Sequence, residues 1–421
     1  MNSAIAPARA ADWTSPAMKA RLARRYAAER RFRGLGLGAV LMSLGILAFL
    51  LFSMIADGWR GFLEYRLIVP VDLRAETFSV TPEAARGPKA RDALNAAGLE
   101  DLVMAAAEQA YGRNGPDYIA ESSWRVVRDR ILEQPEVIGG IVDMELPVSA
   151  TMARALDGDG VPEAIDAGAK LREADRVVRG ANGRFLTGAD ATEPTDVGLW
   201  GAFKGSLLTM AVTLILAFPI GVLAAVYLEE FAPKRRWTDI IEVSINNLAA
   251  VPSIIFGLLG LAVFLNTFGL PRSAPLVGGL TLALMTMPVI VIAGRSAIKA
   301  VPPSIRQAAL GIGASPIQVV AHHVVPAALP GILTGSIIGM ARALGETAPL
   351  LMIGMRAFIT TPPDGILSPA SALPVQIFLW SDEVSRGFVE KTSAAILVLL
   401  AFLLAMNAGA VYLRNRFEIK W

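Results

Sequence analysis

The residues with the clearest chemical potential are two charges four positions apart, Arg342 and Glu346, inside the apolar stretch "GSIIGMARALGETAPLLMIGM" from Gly335 to Met355. A charged side chain at the centre of a bilayer costs about 2.5 to 3.5 kcal/mol on insertion scales, so an ionisable residue there points to function. Guanidinium stays charged and presents a planar fork that bonds two oxygens of a tetrahedral oxyanion. A carboxylate beside it can repel divalent anions, hold the guanidinium between passages, or accept a proton from a protonated oxyanion. The spacing also admits a plainer role, because residues four apart on a helix can pair with each other and fix its register.

Other chemistry is scarce. Cysteine is absent, which removes disulfides, thiolate nucleophiles and cysteine metal sites. The two histidines, His322 and His323, are adjacent and read as packing or interface residues. No His-Glu-x-x-His, Gly-x-Ser-x-Gly or pair of intramembrane aspartates supports a membrane-embedded hydrolase, and no Gly-x-x-x-x-Gly-Lys-Ser/Thr loop is present to cradle a nucleotide. The chain is expected to have no catalytic residue, metal site or bound cofactor of its own.

The elements that must position Arg342 and Glu346 follow from composition. With 54% hydrophobic and 18% charged residues, the chain reads as an integral membrane protein. About 20 apolar residues of helix cross a bilayer core, and the runs 35–56, 203–228, 243–266, 275–294, 327–355 and 392–413 qualify. The first follows a basic leader, residues 1–34, lacks a clear small-x-small cleavage site, and is expected to be a retained anchor. Basic residues stay cytoplasmic. Threading the runs with both termini inside places Arg21, Arg24 and Arg25, then Lys234 to Arg236, then Arg414, Arg416 and Lys420 on one side, with Arg295, Lys299 and Arg306.

That threading leaves 57–200 outside, a segment of domain size. Within it "VDLRAETFSV" alternates like a strand, while "PKARDALNAAGLEDLVMAAAEQAY" and "SSWRVVRDRILEQ" space apolar residues as helices do, with Ser122 or Ser123 as an N-cap. "ANGRFLTGADATEPTDVG" reads as a loop leading back to the membrane. The fold class expected is an all-α polytopic membrane protein of about six transmembrane helices with a small α+β extracytoplasmic domain. Pro219, Pro252 and Pro288 imply kinked helices packed on one another, because neighbours must satisfy the backbone groups that proline frees.

At 100° per residue, Gly331, Gly335, Gly339, Arg342, Glu346 and Pro349 fall within about 80° of arc. Small residues four apart let a second helix approach, so this face is expected to meet protein, with Arg342 and Glu346 at a helix interface or along a central passage. Between the fourth and fifth runs, "SIRQAALGIGASPIQVVAHHVVPAALPG" is too polar to span. Ser304 is expected to cap one short helix ending near Gly311 or Gly313, and Ser315-Pro316 to open a second. Such a helical hairpin can plug into a groove on a soluble partner.

Gln307-Ala308-Ala309, three residues, Gly313, nine residues and His323-Val324-Val325-Pro326 resemble the EAA coupling loop of ABC importer permeases, Glu-Ala-Ala, three, Gly, nine, Ile-x-Leu-Pro. Gln307 departs from the family glutamate and His323 from its aliphatic residue. "GSLLTMAVTLILAFPIGVLAAVYLEEFAPK", "NLAAVPSIIFGLLGLAVF" and "PGILTGSIIGMARALGETAPLL" look like phosphate importer permeases of the PstA type over 201–421. The resemblance implies that 304–326 is the ATPase-coupling loop, that Arg342 and Glu346 lie on the substrate pathway, and that phosphate crosses the cytoplasmic membrane by ATP-driven alternating access. It further implies a homologous C-type permease, two copies of a cytoplasmic ATPase subunit that use the ATP, and an extracytoplasmic phosphate-binding protein. Lipid is the solvent, and no nucleic-acid partner is expected. A permease for sulfate or molybdate, or a membrane sensor using the outer domain, are the alternative readings.

Overall fold

The computed structural model describes residues 16–417 apart from 75, 77 and 386. The first 15 residues of the basic leader, Lys420 and Arg386 lie outside the described residues. By internal contacts the chain divides into two units, Met1–Ala56 and Asp57–Trp421. Helix α1, Pro16–Gly61, is one uninterrupted element, so the division expected between leader and first membrane helix at 34/35 is not a break in the backbone.

The domain that follows is built on a three-stranded antiparallel sheet of β1 (Leu63–Asp72), β2 (Ile141–Pro147) and β3 (Val177–Ala181), in the order β2-β1-β3. Alternation along β1 buries Leu67, Val69 and Val71 on one face. The strand expected at 71–80 therefore lies upstream and ends at Asp72. Pro70 is tolerated inside it for a geometric reason. Ile68 donates to Arg176 O at 2.9 Å on the β3 side, and Pro70 turns its nitrogen the same way two residues on, past the last β3 pair at Leu67↔Val177.

Helices α2 (Leu99–Tyr111), α3 (Ser123–Glu133) and α4 (Pro162–Glu173), with shorter turns, cover the buried face of the sheet. The helical stretch expected over 88–111 is split at Gly98, whose φ of 68° only glycine adopts readily. Ser122 does hold the N-cap position of α3, but its hydroxyl donates to Asp196 instead of capping, and Ser123 Oγ donates to Pro147 O at 3.2 Å. The segment read as a return loop is a packed knot. Asn182 caps a short turn, its Oδ1 accepting from Phe185 N at 2.9 Å, and Phe185 is fully buried against Phe62, Trp380 and Phe388. Gly188 and Gly198 cross so closely that a Cβ on Gly198 would sit 2.2 Å from the Gly188 carbonyl carbon.

From Trp200 the chain is a helical bundle. Helices α5 (Trp200–Val226), α8 (Pro275–Lys299), α10 (Val325–Gly345) and α13 (Gly387–Phe417) are the long elements. Between α5 and α8 come α6 (Arg236–Ala249) and α7 (Ser253–Gly260). α9 (Pro303–Gly311) precedes α10, and α11 (Ala348–Met352) and α12 (Leu373–Ser381) precede α13. Among the described residues five helices are long and apolar enough to cross a membrane, including α1 and a continuous Pro316–Gly345, or six if a bent pair counts as one span. That pair corrects the run read as a span at 243–266: Arg236–Ala249 and Ser253–Thr267 meet at 100°. The hinge is Val251-Pro252, where proline disfavours helix in the residue before it and removes a donor. The fold is thus a polytopic helical membrane protein with a small α+β domain near its N-terminus.

Candidate functional site

α10 is fixed by its small residues. A Cβ on Gly335 would lie 2.0 Å from Ala293 Cβ, one on Gly331 2.7 Å from Ala297 Cβ, and one on Gly339 3.0 Å from Thr286 Cγ2, so this face is pressed onto α8. Arg342 lies in the last turn, where a cation meets the negative end of the helix dipole. The helix stops at Gly345, and Glu346 turns extended at φ −80° and ψ 115°. Pro349 consequently leaves the arc expected for an unbroken helix and packs in α11, where a Cβ on Gly257 would meet its Cα at 2.7 Å.

Arg342 Nε approaches Glu346 Oε1 at 3.4 Å, with the two side chains 50% and 20% exposed. A single contact of that length leaves most of the guanidinium's five donors unused. The face expected to meet protein is therefore divided. Gly335 and Gly339 are buried on α8, whereas Arg342, with Ile338 and Gly345, is left open by this chain.

The hairpin lies at the far end of the bundle from the sheet domain, since α5 begins beside that domain and ends against the hairpin. Pro302, not Ser304, occupies the N-cap of α9; Ser304 falls inside the first turn. Gln307 and Ala308 are exposed and Ala309 is buried. Gly313 makes the turn at φ 91°, with open space where a side chain would go. Ser315 Oγ accepts from Gln318 N at 3.4 Å while Gln318 Oε1 accepts from Ser315 N at 2.9 Å, a reciprocal capping box. The arm opened here is not a separate short helix. It runs on through a wide π turn at Val320–Val324, holding the exposed His322 and His323, into α10. That turn precedes Pro326, whose missing N–H an ordinary turn would have needed. Leu310, Ile312 and Ile317 stand exposed around the turn, the last two at 84% and 70%. A displacement of the hairpin thus has a direct helical connection to Arg342.

An ion cluster lies at the root of the hairpin; its basic members also serve as topology signals in the sequence, but their partners are not legible there. Arg306 Nη2 and Nε bond Glu230 Oε1 at 2.6 and 3.1 Å, Nη1 donates to Val301 O at 2.7 Å, and Nη2 reaches Ile298 O at 3.0 Å. Arg295 bridges Glu242 at 2.8 Å and Glu229 at 3.4 Å, and Lys299 lies 3.6 Å from Glu229. The cluster ties α9 to the π turn that ends α5 (Tyr227–Phe231), to α6 and to α8. The signal available was the pair of acids in "LEEF" at a helix end, matched by the basic residues Arg295, Lys299 and Arg306 in a later segment.

Comparisons with known proteins agree with this arrangement. A family model described as "Binding-protein-dependent transport system inner membrane component" matches residues 217–419, and a domain of unknown function, DUF3333, matches residues 19–165. The chain is 31% identical over 207 residues to the probable ABC transporter permease protein YqgI of Bacillus subtilis, covering 46% of this chain and 70% of that protein. It is 32% identical over 219 residues to the phosphate transport system permease protein PstA 1 of Mycobacterium tuberculosis, covering 52% and 70%. It is also 32% identical over 224 residues to the phosphate transport system permease protein PstC of Haemophilus influenzae, covering 48% and 70%. Permease subunits of this kind are transport components without catalytic activity of their own. The chain belongs to the binding-protein-dependent inner membrane components, as a multi-pass ABC importer permease subunit of PstA type with an additional N-terminal domain.

Proposed function

We propose that this subunit forms one half of a phosphate translocation pathway and that Arg342 is its transient anion contact. The observation that carries the reading is the state of Arg342: half-exposed at the end of α10, with one 3.4 Å contact to Glu346 and most of its donors free. Phosphate is favoured over other oxyanions because curated relatives covered over much of their length are named as phosphate permeases. The other half of the pathway is a homologous C-type permease, an extracytoplasmic binding protein delivers the anion, and two ATPase subunits dock on 304–326. Gln307, Ala308, Ala309, Gly313 and Pro326 form that docking element, with Gly331, Gly335 and Gly339 carrying its movement along α8. Both termini face the cytoplasm and the sheet domain lies outside. ATP-driven closure moves the hairpin, shifts α10, and exposes Arg342 to one side or the other. Glu346 holds the guanidinium between passages, and binding stays weak enough for the anion to leave.

The test is ATP-dependent uptake of radiolabelled phosphate, and separately of sulfate, in vesicles holding this chain with its partner permease, ATPase and binding protein. The comparison is Arg342→Ala of verified expression and assembly. Phosphate uptake lost in the variant supports the reading. Undiminished uptake returns Arg342 and Glu346 to a structural pair, and sulfate uptake alone keeps the permease but removes phosphate.

A further inference from the structure

A cleft of about 370 Å³ opens at the end of the bundle remote from the hairpin, lined by the end of α1, the rim of the sheet domain and the start of α13. Much of its polar lining is already spent. Arg154 pairs with Asp159 at 2.9 Å, Tyr65 donates to Asp157 Oδ1 at 2.6 Å, and Glu64 pairs with Arg66 at 2.5 Å. What remains is unusual. Asp57, Arg60, Arg179 and Glu390 line the cleft and are in no ion pair among the described residues. Lys391 is only 7% exposed, and its Nζ makes one bond, to Gly61 O at 2.9 Å, leaving two protons over the Phe185 ring at 5.0 Å. Two guanidinium groups, a buried ammonium and two carboxylates thus line one cleft with bonding capacity left over.

Their depth is set by the sequence. Arg60 follows the apolar run that ends at 56, and Glu390 and Lys391 immediately precede the run that begins at 392. Trp59, 63% exposed beside them, is the residue type that marks the boundary between hydrocarbon and headgroups. The cleft is therefore at headgroup level. A simple anion would meet the carboxylates of Glu390 and Asp157 as well as the guanidinium forks. A ligand carrying both a phosphate and a primary amine satisfies both signs: the forks bond phosphate oxygens, and the ammonium donates to Glu390.

The geometry points to a binding site for a phosphate-plus-primary-amine group, supplied by the headgroup of an ethanolamine phospholipid, where the rim of the sheet domain meets residues 57–61 and the start of α13. Neither Arg342 nor Glu346 lines the site, which does not depend on which solute the pathway carries. It gives the additional domain a membrane-surface anchor.

The full-length chain in nanodiscs of ethanolamine, choline and glycerol phospholipids in equal parts, with matched acyl chains, provides the test, retained lipid being counted by native mass spectrometry. Ethanolamine lipid is expected to be favoured about tenfold over choline lipid, whose quaternary ammonium cannot donate, a ratio equivalent to about 1.4 kcal/mol. The double variant Arg179→Gln, Glu390→Gln, at positions in no ion pair among the described residues, is expected to fold and to bring the preference below about twofold, or about 0.4 kcal/mol. Equal retention of the three lipids, preference for the glycerol lipid, or a preference untouched by the variant overturns the site. Soluble phosphoethanolamine is the second arm. If it displaces the retained lipid at matched concentration, the headgroup chemistry stands and the membrane as its source is overturned.

Discussion

Arg306–Glu230 and Arg342–Glu346 are both guanidinium–carboxylate pairs at the ends of membrane helices, yet the bundle uses them differently. Arg306 spends its donors on both sides of the hairpin root, bonding a carboxylate that is 11% exposed and two backbone carbonyls. Arg342 is half-exposed and makes one long contact with a residue four positions away on its own chain. The first pair joins residues 76 apart in sequence and holds elements together. The second joins nothing that the backbone does not already join. A saturated guanidinium is a structural pin, and an unsaturated one is available to a ligand.

The largest expected effect tests the pin. Arg306→Ala leaves Glu230 part-buried beside an empty space, and breaking a buried pair costs roughly 3–5 kcal/mol. Some solvent reaches both groups, so the expectation lies toward the lower end of that range, read as a lowered unfolding temperature of the purified chain in detergent. A variant as stable as the parent would remove the distinction between the two pairs. Gly335→Val follows, at about 1–3 kcal/mol from overpacking against Ala293. It is expected to separate α10 from α8 and to reduce folded protein in the membrane; normal yield would mean that this contact is looser than 2.0 Å implies.

Gly313→Val is expected to act through the backbone, because nothing occupies the space its side chain would enter. A β-branched residue at φ 91° carries roughly 1–2 kcal/mol of local strain. The turn should distort while the bundle inserts, giving normal membrane abundance with uptake uncoupled from ATP hydrolysis. Uptake at the parental rate would show that the hairpin does not transmit force.

These variants also mark what the sequence could and could not reveal. Gly313, Ser315 and Pro316 define their turn locally, through a φ value and a capping box, so the hairpin could be read from adjacent residues. The bent pair at 236–267 could not, because an apolar run bounds length and composition but not direction, and Pro252 permits a kink of any size. The central strand lies upstream of the alternating stretch at 71–80, because which residues pair depends on partners at 141–147 and 177–181 that local alternation does not reveal. Arg306 and Glu230 were each visible as charges, but their pairing depends on how α5, α8 and α9 pack. For Arg342, position and charge are legible in the residues themselves, and only the structure shows how little holds it.

That last point predicts a split between stability and transport. Exposed ion pairs contribute about 0–1 kcal/mol, so Arg342→Ala should unfold close to the parent temperature, unlike Arg306→Ala. Arg342→Lys keeps the charge and should fold equally well, but a single ammonium cannot present two parallel donors to an oxyanion. If the guanidinium meets the solute, the lysine variant should lose uptake beyond what charge alone explains, with unfolding temperature and membrane abundance unchanged. Parental uptake in the lysine variant would leave a requirement for charge but not for a fork. A matching loss of stability in the alanine variant would place Arg342 with Arg306 among the pins.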